Sequence, residues 1–278
     1  MSIPVPALDT RAGWSIRIVD AVTGEALAEH EPDAVCETAS IGKVFLLIEV
    51  ARRLEDGRLR ADQRVEIPAE HVVADSGLLY RMLDQRLTVH DAALLVGAVS
   101  DNLATNALIS LCGLDDVRSV AVELGYRDTS LHDYIRNERT SDMPWTPSYG
   151  TGRELADVMR RLGAREVISP AVSEQVLGWL AADTDTSMLA DAFLLDPLAH
   201  PDAEYQGMLL RHKTGSTSFA RIDIGWVQGP AATVAYAVAA NWKDAREDLR
   251  APVVDAMRTL GEGIRAHVTG RARDVGDE

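Results

Sequence analysis

Segments with the alternating pattern of a β-strand lie only towards the two ends of this chain, and their placement strongly constrains the fold. Near the N-terminus, the apolar residues of 14–18 alternate with polar or small ones, and Thr23-Gly24 marks a turn before residues 25–29. This pattern predicts a β-hairpin. Three more strand-like runs follow residue 205, at 208–212, 222–227 and 233–238.

The residues between these ends have helical patterns. Residues 41–50 are apolar at nearly every position, which predicts a helix buried on all sides. Residues 88–91, from Thr88 to Asp91, match the capping-box pattern of a helix start, and Gly113 is a suitable C-terminal stop. The predicted helices of this middle segment cover 92–99, 102–111, 115–124, 152–162 and 173–182, and a last amphipathic helix covers 248–267.

We therefore predict an α/β (α+β) fold in which N- and C-terminal strands form one antiparallel sheet flanked by helices, with an all-α lobe inserted. The chain, 1–278, would be a single catalytic unit. Its sheet lobe would comprise 1–57 plus 205–278, and its helical lobe 58–204. A cleft is expected between the lobes, where small-molecule sites tend to form.

Composition limits the partners of such a fold. Of the 278 residues, 46% are hydrophobic and 26% are charged, which is typical of a globular chain that can bury a core. The 43 acidic residues outnumber the 28 Lys and Arg residues, and the formal net charge of −15 repels nucleic acid and anionic lipid surfaces. We expect a monomer with a small-molecule substrate, no nucleic-acid partner and no membrane contact.

The start of the sequence lacks the basic and apolar regions of a secretory signal, and nowhere do 18 apolar residues run together. This predicts a cytoplasmic location, whereas a secreted chain whose leader has been removed would look the same. Neither the two cysteines, Cys36 and Cys112, nor the 7 histidines have metal-ligand spacing. We predict no metal and no cofactor.

Three short motifs occur in order along the chain: Ser40-Ile41-Gly42-Lys43, Ser100-Asp101-Asn102 and Lys213-Thr214-Gly215. The first pattern should occur about once by chance in a chain of this length, but each tripeptide would occur in only about one chain in twenty. Singly, the motifs are typical of helix caps and turns. As an ordered set they indicate one site for nucleophilic catalysis.

The first motif has the residue types of an activated serine. Ser40 precedes the buried helix, so its hydroxyl can lie among the unpaired N–H groups of the helix N-terminus. Lys43 lies three residues on, on the same helix face. A serine nucleophile needs a base, and lysine is a base only when it is neutral. Burial and a second cation, for which Lys213 is available, both favour the neutral amine.

The other two motifs supply the remaining groups. Ser100, in a turn between two predicted helices, is placed to pass the proton to a leaving nitrogen, and Asn102 offers a donor and an acceptor to a substrate amide. Residues 213–215 follow directly on the predicted edge strand 208–212, where an extended substrate can pair and a carboxylate can be held. The backbone N–H groups of Ser40 and Ser216 could form an oxyanion hole.

With these motifs in this order, the sequence resembles the penicillin-recognising serine enzymes, most closely class A β-lactamases and their β-lactamase-like relatives. The resemblance implies a serine β-lactamase/DD-peptidase-like fold, an acylating Ser40, a general base Lys43 and a proton-shuttling Ser100. It implies a carboxylate-bearing β-lactam, amide or ester as substrate. The carboxylate site would comprise Lys213, Thr214, Ser216 and Arg221. Arg221 could instead be a solvated arginine of the following strand.

One segment departs from the class A pattern. In that family a loop glutamate, within Arg-x-Glu-x-x-x-Asn, activates the water that hydrolyses the acyl-enzyme. The corresponding stretch here runs from Arg136 to Asp142, so an aspartate replaces the asparagine. Glu138 is either the base for water or an exposed loop carboxylate, and Glu166 lies past the loop and has no comparable role. Without a residue that activates water, the acyl-enzyme would persist.

Three functions remain open. The first is a serine hydrolase of class A β-lactamase type that opens a β-lactam amide, with impaired or altered deacylation. The second is an intracellular esterase or amidase with the same serine chemistry. The third is a non-catalytic, ligand-binding relative that keeps the pocket.

Overall fold

The computed structural model describes residues 2–200, 207–243 and 248–270 of the chain. Its strands are β1 (Gly13–Asp20), β2 (Ala26–His30), β3 (Val35–Glu37), β4 (Arg64–Val65), β5 (Leu87–Thr88), β6 (Ser130–Leu131), β7 (Ser148–Thr151), β8 (Leu209–Thr217), β9 (Ala220–Gln228) and β10 (Thr233–Asn241). Its α-helices are α1 (Lys43–Glu55), α2 (Val89–Val99), α3 (Asn102–Cys112), α4 (Leu114–Glu123), α5 (Gly152–Gly163), α6 (Pro170–Leu180) and α7 (Arg250–Thr269).

The predicted antiparallel sheet of N- and C-terminal strands is confirmed. Its strand order is β2-β1-β10-β9-β8, so the N-terminal hairpin joins the C-terminal strands where β1 pairs with β10. Successive residues of β10 alternate between two cores because strand side chains point to opposite faces. Ala235 and Ala237 belong to the core that includes α5, whereas Tyr236 and Val238 belong to the core beneath α7.

Helix α5 packs on this sheet, against β1, β9 and β10. This differs from the predicted grouping, in which residues 58–204 formed a lobe of helices alone. The same segment contains the short ladder of β4 with β5 and parts of a ladder of β3, β7 and β6. These strands have two to four residues each, too few for a period-2 pattern. The predicted junction after residue 204 lies outside the described residues.

Helix α1 is the central helix of the molecule. Every residue from Lys43 to Ala51 is buried, as the apolar run predicted, and the helix contacts α2, α3, α4 and α6. The one carboxylate in this stretch, Glu49, forms ion pairs with Arg52 and Arg53, so its charge is not buried alone. The N-terminus of α1 therefore lies inside the protein.

Helix α7 covers the other face of the sheet with the apolar stripe predicted from the sequence. Val253, Met257, Leu260 and Ile264 are fully buried at spacings of three or four residues. Among the residues that the structure describes, no helix is both long enough and apolar enough to cross a lipid bilayer.

Candidate active site

Ser40 lies where β3 turns into α1. The chain leaves β3 at Glu37, forms one 3-10 turn at Ala39–Gly42 and continues directly into α1 at Lys43. Ala39 has a φ of 49°, a left-handed conformation that is strained for a residue with a Cβ. The turn leaves Ser40 half-buried, whereas Lys43 is completely buried behind it.

The amine of Lys43 lies among three oxygen atoms. Nζ is 2.7 Å from the carbonyl oxygen of Ser100, 3.0 Å from Ser100 Oγ and 2.7 Å from Asn102 Oδ1. Burial lowers the pKa of Lys43 well below its ordinary value, and the positive charge of Lys213 lowers this pKa further. A neutral amine has two N–H donors, for which the carbonyl oxygen and Oδ1 are suitable acceptors. Its lone pair is then free to accept a proton from a hydroxyl.

The turn between α2 and α3 brings Ser100 and Asn102 to this amine. Ser100 follows α2 with a left-handed backbone, φ 53° and ψ 40°, which reverses the chain. The buried carboxylate of Asp101 caps α3 and also accepts hydrogen bonds from the backbone N–H groups of Leu78 and Leu79, each at 2.7 Å. Asp101 thus anchors the turn, and the residues on either side of it are held in place.

The motif at 213–215 lies within the edge strand β8, beside the turn that carries Ser40. A Cβ on Gly215 would lie 2.6 Å from the carbonyl oxygen of Thr38 and 3.2 Å from the backbone nitrogen of Ser40. Contacts this short are not tolerated, so only glycine allows β8 to approach the turn this closely. The strand is longer than the predicted 208–212 and contains the whole motif.

Two aspartates that follow α6 contact this part of β8. Asp183 Oδ2 lies 3.4 Å from the Nζ of the fully buried Lys213 and accepts the backbone N–H of Thr214 at 3.3 Å. Asp185 Oδ2 accepts a hydrogen bond from the Thr214 hydroxyl at 2.8 Å. Neither aspartate stands out in the sequence, because both lie in an irregular segment without periodicity.

These elements together enclose one cleft of about 1150 Å³. Its lining includes the side chains of Ser40, Ser100, Asn102, Thr214 and Ser216. The two buried lysines, Lys43 and Lys213, lie behind this wall and do not line it. A half-buried hydroxyl, a second hydroxyl and an amine of lowered pKa are the groups that acyl transfer requires.

Comparison with known proteins shows the family of this chain. A sequence model described as the beta-lactamase enzyme family matches residues 7–268. The chain belongs to the beta-lactamase enzyme family. A solved beta-lactamase structure from Sphaerobacter thermophilus is 26% identical, with 92% of each chain covered and a TM-score of 0.79. A beta lactamase structure from Xanthomonas campestris is 22% identical, also with 92% of each chain covered, and its TM-score of 0.74 shows a common fold.

A curated relative matches over a shorter stretch. The beta-lactamase regulatory protein BlaB of Streptomyces cacaoi is 28% identical over 124 residues, which are 44% of this chain and 39% of that protein. The match therefore spans less than half the length of the relative. Family and fold together are those of beta-lactamase-like serine enzymes.

Glu138 lies in a loop of this beta-lactamase-family chain, and its carboxylate does not point into the cleft. Glu138 is exposed and is not among the residues that line the cleft, whereas Arg136, Asn137 and Arg139 are. The carboxylate of Asp133 accepts hydrogen bonds from both arginines, at 3.2 Å and 2.7 Å. These ion pairs hold the loop in the orientation that leaves Glu138 facing solvent.

Arg221 and Glu166, which the sequence also brings into question, lie outside the cleft lining too. Arg221, on β9, donates hydrogen bonds to the carbonyl oxygens of Thr217 and Ala220, both at 2.7 Å, so its guanidinium is turned onto the β8–β9 turn. Glu166 is exposed and lies 3.7 Å from the guanidinium of Arg160. The described cleft thus contains Thr214 and Ser216 of the predicted carboxylate site, with Lys213 behind them.

Glu37 is a cleft residue that the motifs do not indicate. It is half-buried, and its Oε1 accepts a hydrogen bond from the Thr146 hydroxyl at 3.4 Å. Burial raises the pKa of this carboxyl. The one available sequence signal is its position three residues before Ser40, since the strand that contains it is too short to show a pattern.

Proposed function

We propose that this protein is a serine hydrolase of class A β-lactamase type that opens a β-lactam, or another amide or ester, through an acyl-enzyme on Ser40. The observation that carries the proposal is the fully buried Lys43 amine of lowered pKa, 3.0 Å from the Ser100 hydroxyl and one turn from Ser40. A lysine in this state is a base, and both hydroxyls open onto the same cleft.

Acylation would use these groups in turn. The Oγ of Ser40 forms a bond to the substrate carbonyl carbon, and its proton goes to Lys43. The C–N bond then breaks while Ser100 gives its own proton to the leaving nitrogen and takes one from Lys43. The backbone N–H groups of Ser40 and Ser216 would stabilise the oxyanion, and Asn102 would bind the amide of the substrate.

Hydrolysis of the acyl-enzyme would be slow. Deacylation needs a base that activates water within hydrogen-bonding reach of the ester. Glu138, the candidate from the loop, is exposed outside the cleft lining. We therefore expect the acyl-enzyme to accumulate rather than turn over rapidly.

Intact-protein mass spectrometry tests this function. The protein is incubated with a panel of β-lactams, some with and some without a free carboxylate, and in parallel with small chromogenic esters. We expect the wild-type protein to gain the full mass of a β-lactam, because ring opening expels no atom. Ser40→Ala should gain none, and Ser119→Ala, which alters a serine on α4, should be labelled like the wild type.

The outcomes separate the open functions. Equal labelling of the wild type and Ser40→Ala would exclude Ser40 as the nucleophile. Ester hydrolysis without labelling by any β-lactam would indicate an esterase, and neither reaction would indicate a binding protein. Rapid β-lactam turnover with no detectable adduct would contradict slow deacylation while retaining the acyl-enzyme.

A further inference from the structure

Glu37 is the glutamate nearest to Ser40 along the chain, and both residues line the same cleft. Three peptide units join them, so their Cα atoms are at most about 11 Å apart. The 3-10 turn that begins at Ala39 shortens this path. Because both side chains open onto the cleft, a water molecule can lie between the Glu37 carboxylate and an ester on Ser40.

The backbone of Glu37 is held on two sides. Oδ1 of Asn241, the last residue of β10, accepts the N–H of Glu37 at 2.7 Å, and Nδ2 of Asn241 donates to the Glu37 carbonyl oxygen at 3.0 Å. Glu37 also pairs with Tyr149 of β7. These contacts fix the main chain from which the side chain extends, as is required of a group that positions a reacting molecule.

The carboxylate of Glu37 forms few hydrogen bonds of its own. Oε1 accepts the Thr146 hydroxyl at 3.4 Å, but this hydroxyl has a single proton and lies closer, at 3.0 Å, to the carbonyl oxygen of Ser148. Within the described part of the chain, Oε2 has no hydrogen-bond donor. The carboxylate can therefore accept a hydrogen bond from water.

Burial makes this carboxylate a stronger base than an exposed one. It raises the pKa of Glu37, although the hydrogen bond from Thr146 and the charge of Arg139 act in the opposite direction. The guanidinium of Arg139 is itself hydrogen-bonded to the Asp133 carboxylate at 2.7 Å and to the carbonyl oxygen of Tyr134 at 2.9 Å. A general base is more effective when its pKa lies closer to the operating pH.

The two other carboxylates of the described lining are less suited to this role. Asp75 is exposed to solvent. In Asp185, Oδ2 accepts the Thr214 hydroxyl at 2.8 Å and Oδ1 accepts the Ser187 hydroxyl at 2.6 Å, so both oxygens are engaged. Burial alone would raise the pKa of Asp185, but these hydrogen bonds and the charge of Lys213 lower it.

We propose that Glu37 is the general base that activates water for hydrolysis of the acyl-enzyme. The carboxylate takes a proton from water while the water oxygen forms a bond to the acyl carbon. The bond from this carbon to Ser40 Oγ then breaks, and the proton passes from Glu37 to Oγ. Free Ser40 and the Glu37 carboxylate are restored, and the acyl group leaves as a carboxylic acid.

This proposal rests on the proposed function, since it needs an acyl-enzyme on Ser40. It assigns the slow hydrolysis expected for that intermediate to a residue of β3. The base would thus lie on the strand before the nucleophile, and not on the loop that carries Glu138.

The test measures formation and decay of the acyl-enzyme separately. The protein is labelled with a β-lactam, the excess reagent is removed, and loss of the adduct is followed by intact-protein mass spectrometry. Glu37→Gln keeps an oxygen acceptor for Thr146 but cannot take a proton from water. We expect its adduct to decay about tenfold or more slowly than that of the wild type, while the rate constant for acylation changes by less than about threefold.

Glu138→Gln is the matched control, because it removes the same charge from an exposed residue outside the cleft lining. Its adduct should decay at the wild-type rate. In the wild type, decay should slow as the pH falls through the pKa of Glu37, because the carboxylate is then protonated. Since this pKa is raised, the acidic limb should lie above the usual range of a glutamate, and it should be absent in Glu37→Gln.

The other outcomes also decide the matter. Acylation and decay slowed equally in Glu37→Gln would make Glu37 a positioning residue of the Ser40 turn and overturn its role as base. Unchanged decay in Glu37→Gln, or equal slowing by Glu138→Gln, would overturn it as well. A wild type that turns over too fast to show an adduct would support the proposal if Glu37→Gln accumulates one.

The wild type alone decides if Glu37→Gln does not fold. An adduct that never decays, or a decay rate without an acidic limb, would overturn the proposal, and a limb above the usual range of a glutamate would support it. Absence of any label on Ser40 would instead overturn the proposed function, and this inference with it.

Discussion

The sequence has three lysines among its 28 Lys and Arg residues, and two of them, Lys43 and Lys213, are buried behind the cleft wall. Arginine stays protonated in proteins, whereas lysine loses its proton readily when it is buried. The chain thus uses arginine for nearly all other cations, including those that pair on the surface. At the residue scale, Lys43 is the lysine that can give up its proton, because burial lowers its pKa, and Lys213 supplies the positive charge that lowers the pKa of Lys43 further.

The first prediction concerns the charge of Lys213. Lys213→Met removes a cation that helps to keep Lys43 neutral, so the pKa of Lys43 should rise. More of the amine is then protonated at neutral pH. We expect the acidic limb of the acylation pH profile to move to higher pH and the acylation rate at pH 7 to fall at least tenfold.

Stopped-flow acylation of Ser40 across pH measures this limb. Lys243→Met, which removes an exposed lysine, should leave the limb in place. An acidic limb that stays fixed or moves to lower pH in Lys213→Met would show that burial alone keeps Lys43 neutral.

The motifs predicted the cleft residues that lie within or next to them, and they missed cleft residues that lie in segments without a motif. Lys43, Ser100 and Asn102 are close because each motif residue sits at a helix end. Asp185 reaches Thr214 from an irregular segment after α6, which no local pattern describes. The orientation of Arg221 could not be predicted either, because backbone carbonyls of its own turn compete for the guanidinium.

At the scale of helices and strands, two glycines illustrate how close packing is achieved. Gly97 in α2 faces the backbone of α6, and a Cβ there would lie 2.5 Å from the carbonyl oxygen of Trp179. Gly178 in α6 is exposed, and a Cβ there would meet no described heavy atom within 4 Å. The same substitution should therefore have opposite effects at the two sites.

The second prediction is that alanine destabilises the protein at position 97 and stabilises it at position 178. Gly97→Ala should lower the free energy of unfolding by about 1–3 kcal/mol, because backbone of α6 must move to admit the methyl group. Gly178→Ala should raise it by about 0.5–1 kcal/mol, since alanine has the higher helix propensity. Thermal denaturation followed by circular dichroism compares the two variants with the wild type. A Tm for Gly97→Ala at or above the wild-type value would contradict the packing described for α2 and α6.

Elements with a strong apolar period were predictable, and those stabilised by buried polar residues were not. The continuous apolar run of α1 and the apolar period of α7 located both helices to within a few residues. Strand β8 was predicted only to residue 212 because His212, Lys213 and Thr214 are polar yet buried. For α5, the period identifies which side is apolar but not whether a sheet or another helix covers it.

At the scale of the whole molecule, one apolar core extends from the sheet into the helical segment. It includes Ile222 and Ala237 of the sheet, Val44 of α1, and Val96 and Leu108 of the helices beyond. Among the residues that the structure describes, this core is continuous from the sheet to the helices. The prediction of a single unit can therefore be tested by the cooperativity of unfolding.

The third prediction is one cooperative transition. Differential scanning calorimetry should give a single peak whose calorimetric enthalpy equals the van't Hoff enthalpy, because the sheet and helices share a core. Two resolved peaks, or a calorimetric enthalpy well above the van't Hoff value, would show that the lobes unfold separately. The general plan of sheet and helices was predictable from where the strands lie, whereas this shared core depends on packing that no local segment encodes.

The pairing of Gly13 with Asn241 also sets a condition on biosynthesis. Strands β1 and β2 leave the ribosome long before β10 is translated. Until then their apolar side chains have no β10 to pack beside. Such long-range pairing forms slowly, and unpaired strand edges are prone to aggregate. A nascent chain of this protein therefore needs its first hairpin shielded until translation is almost finished.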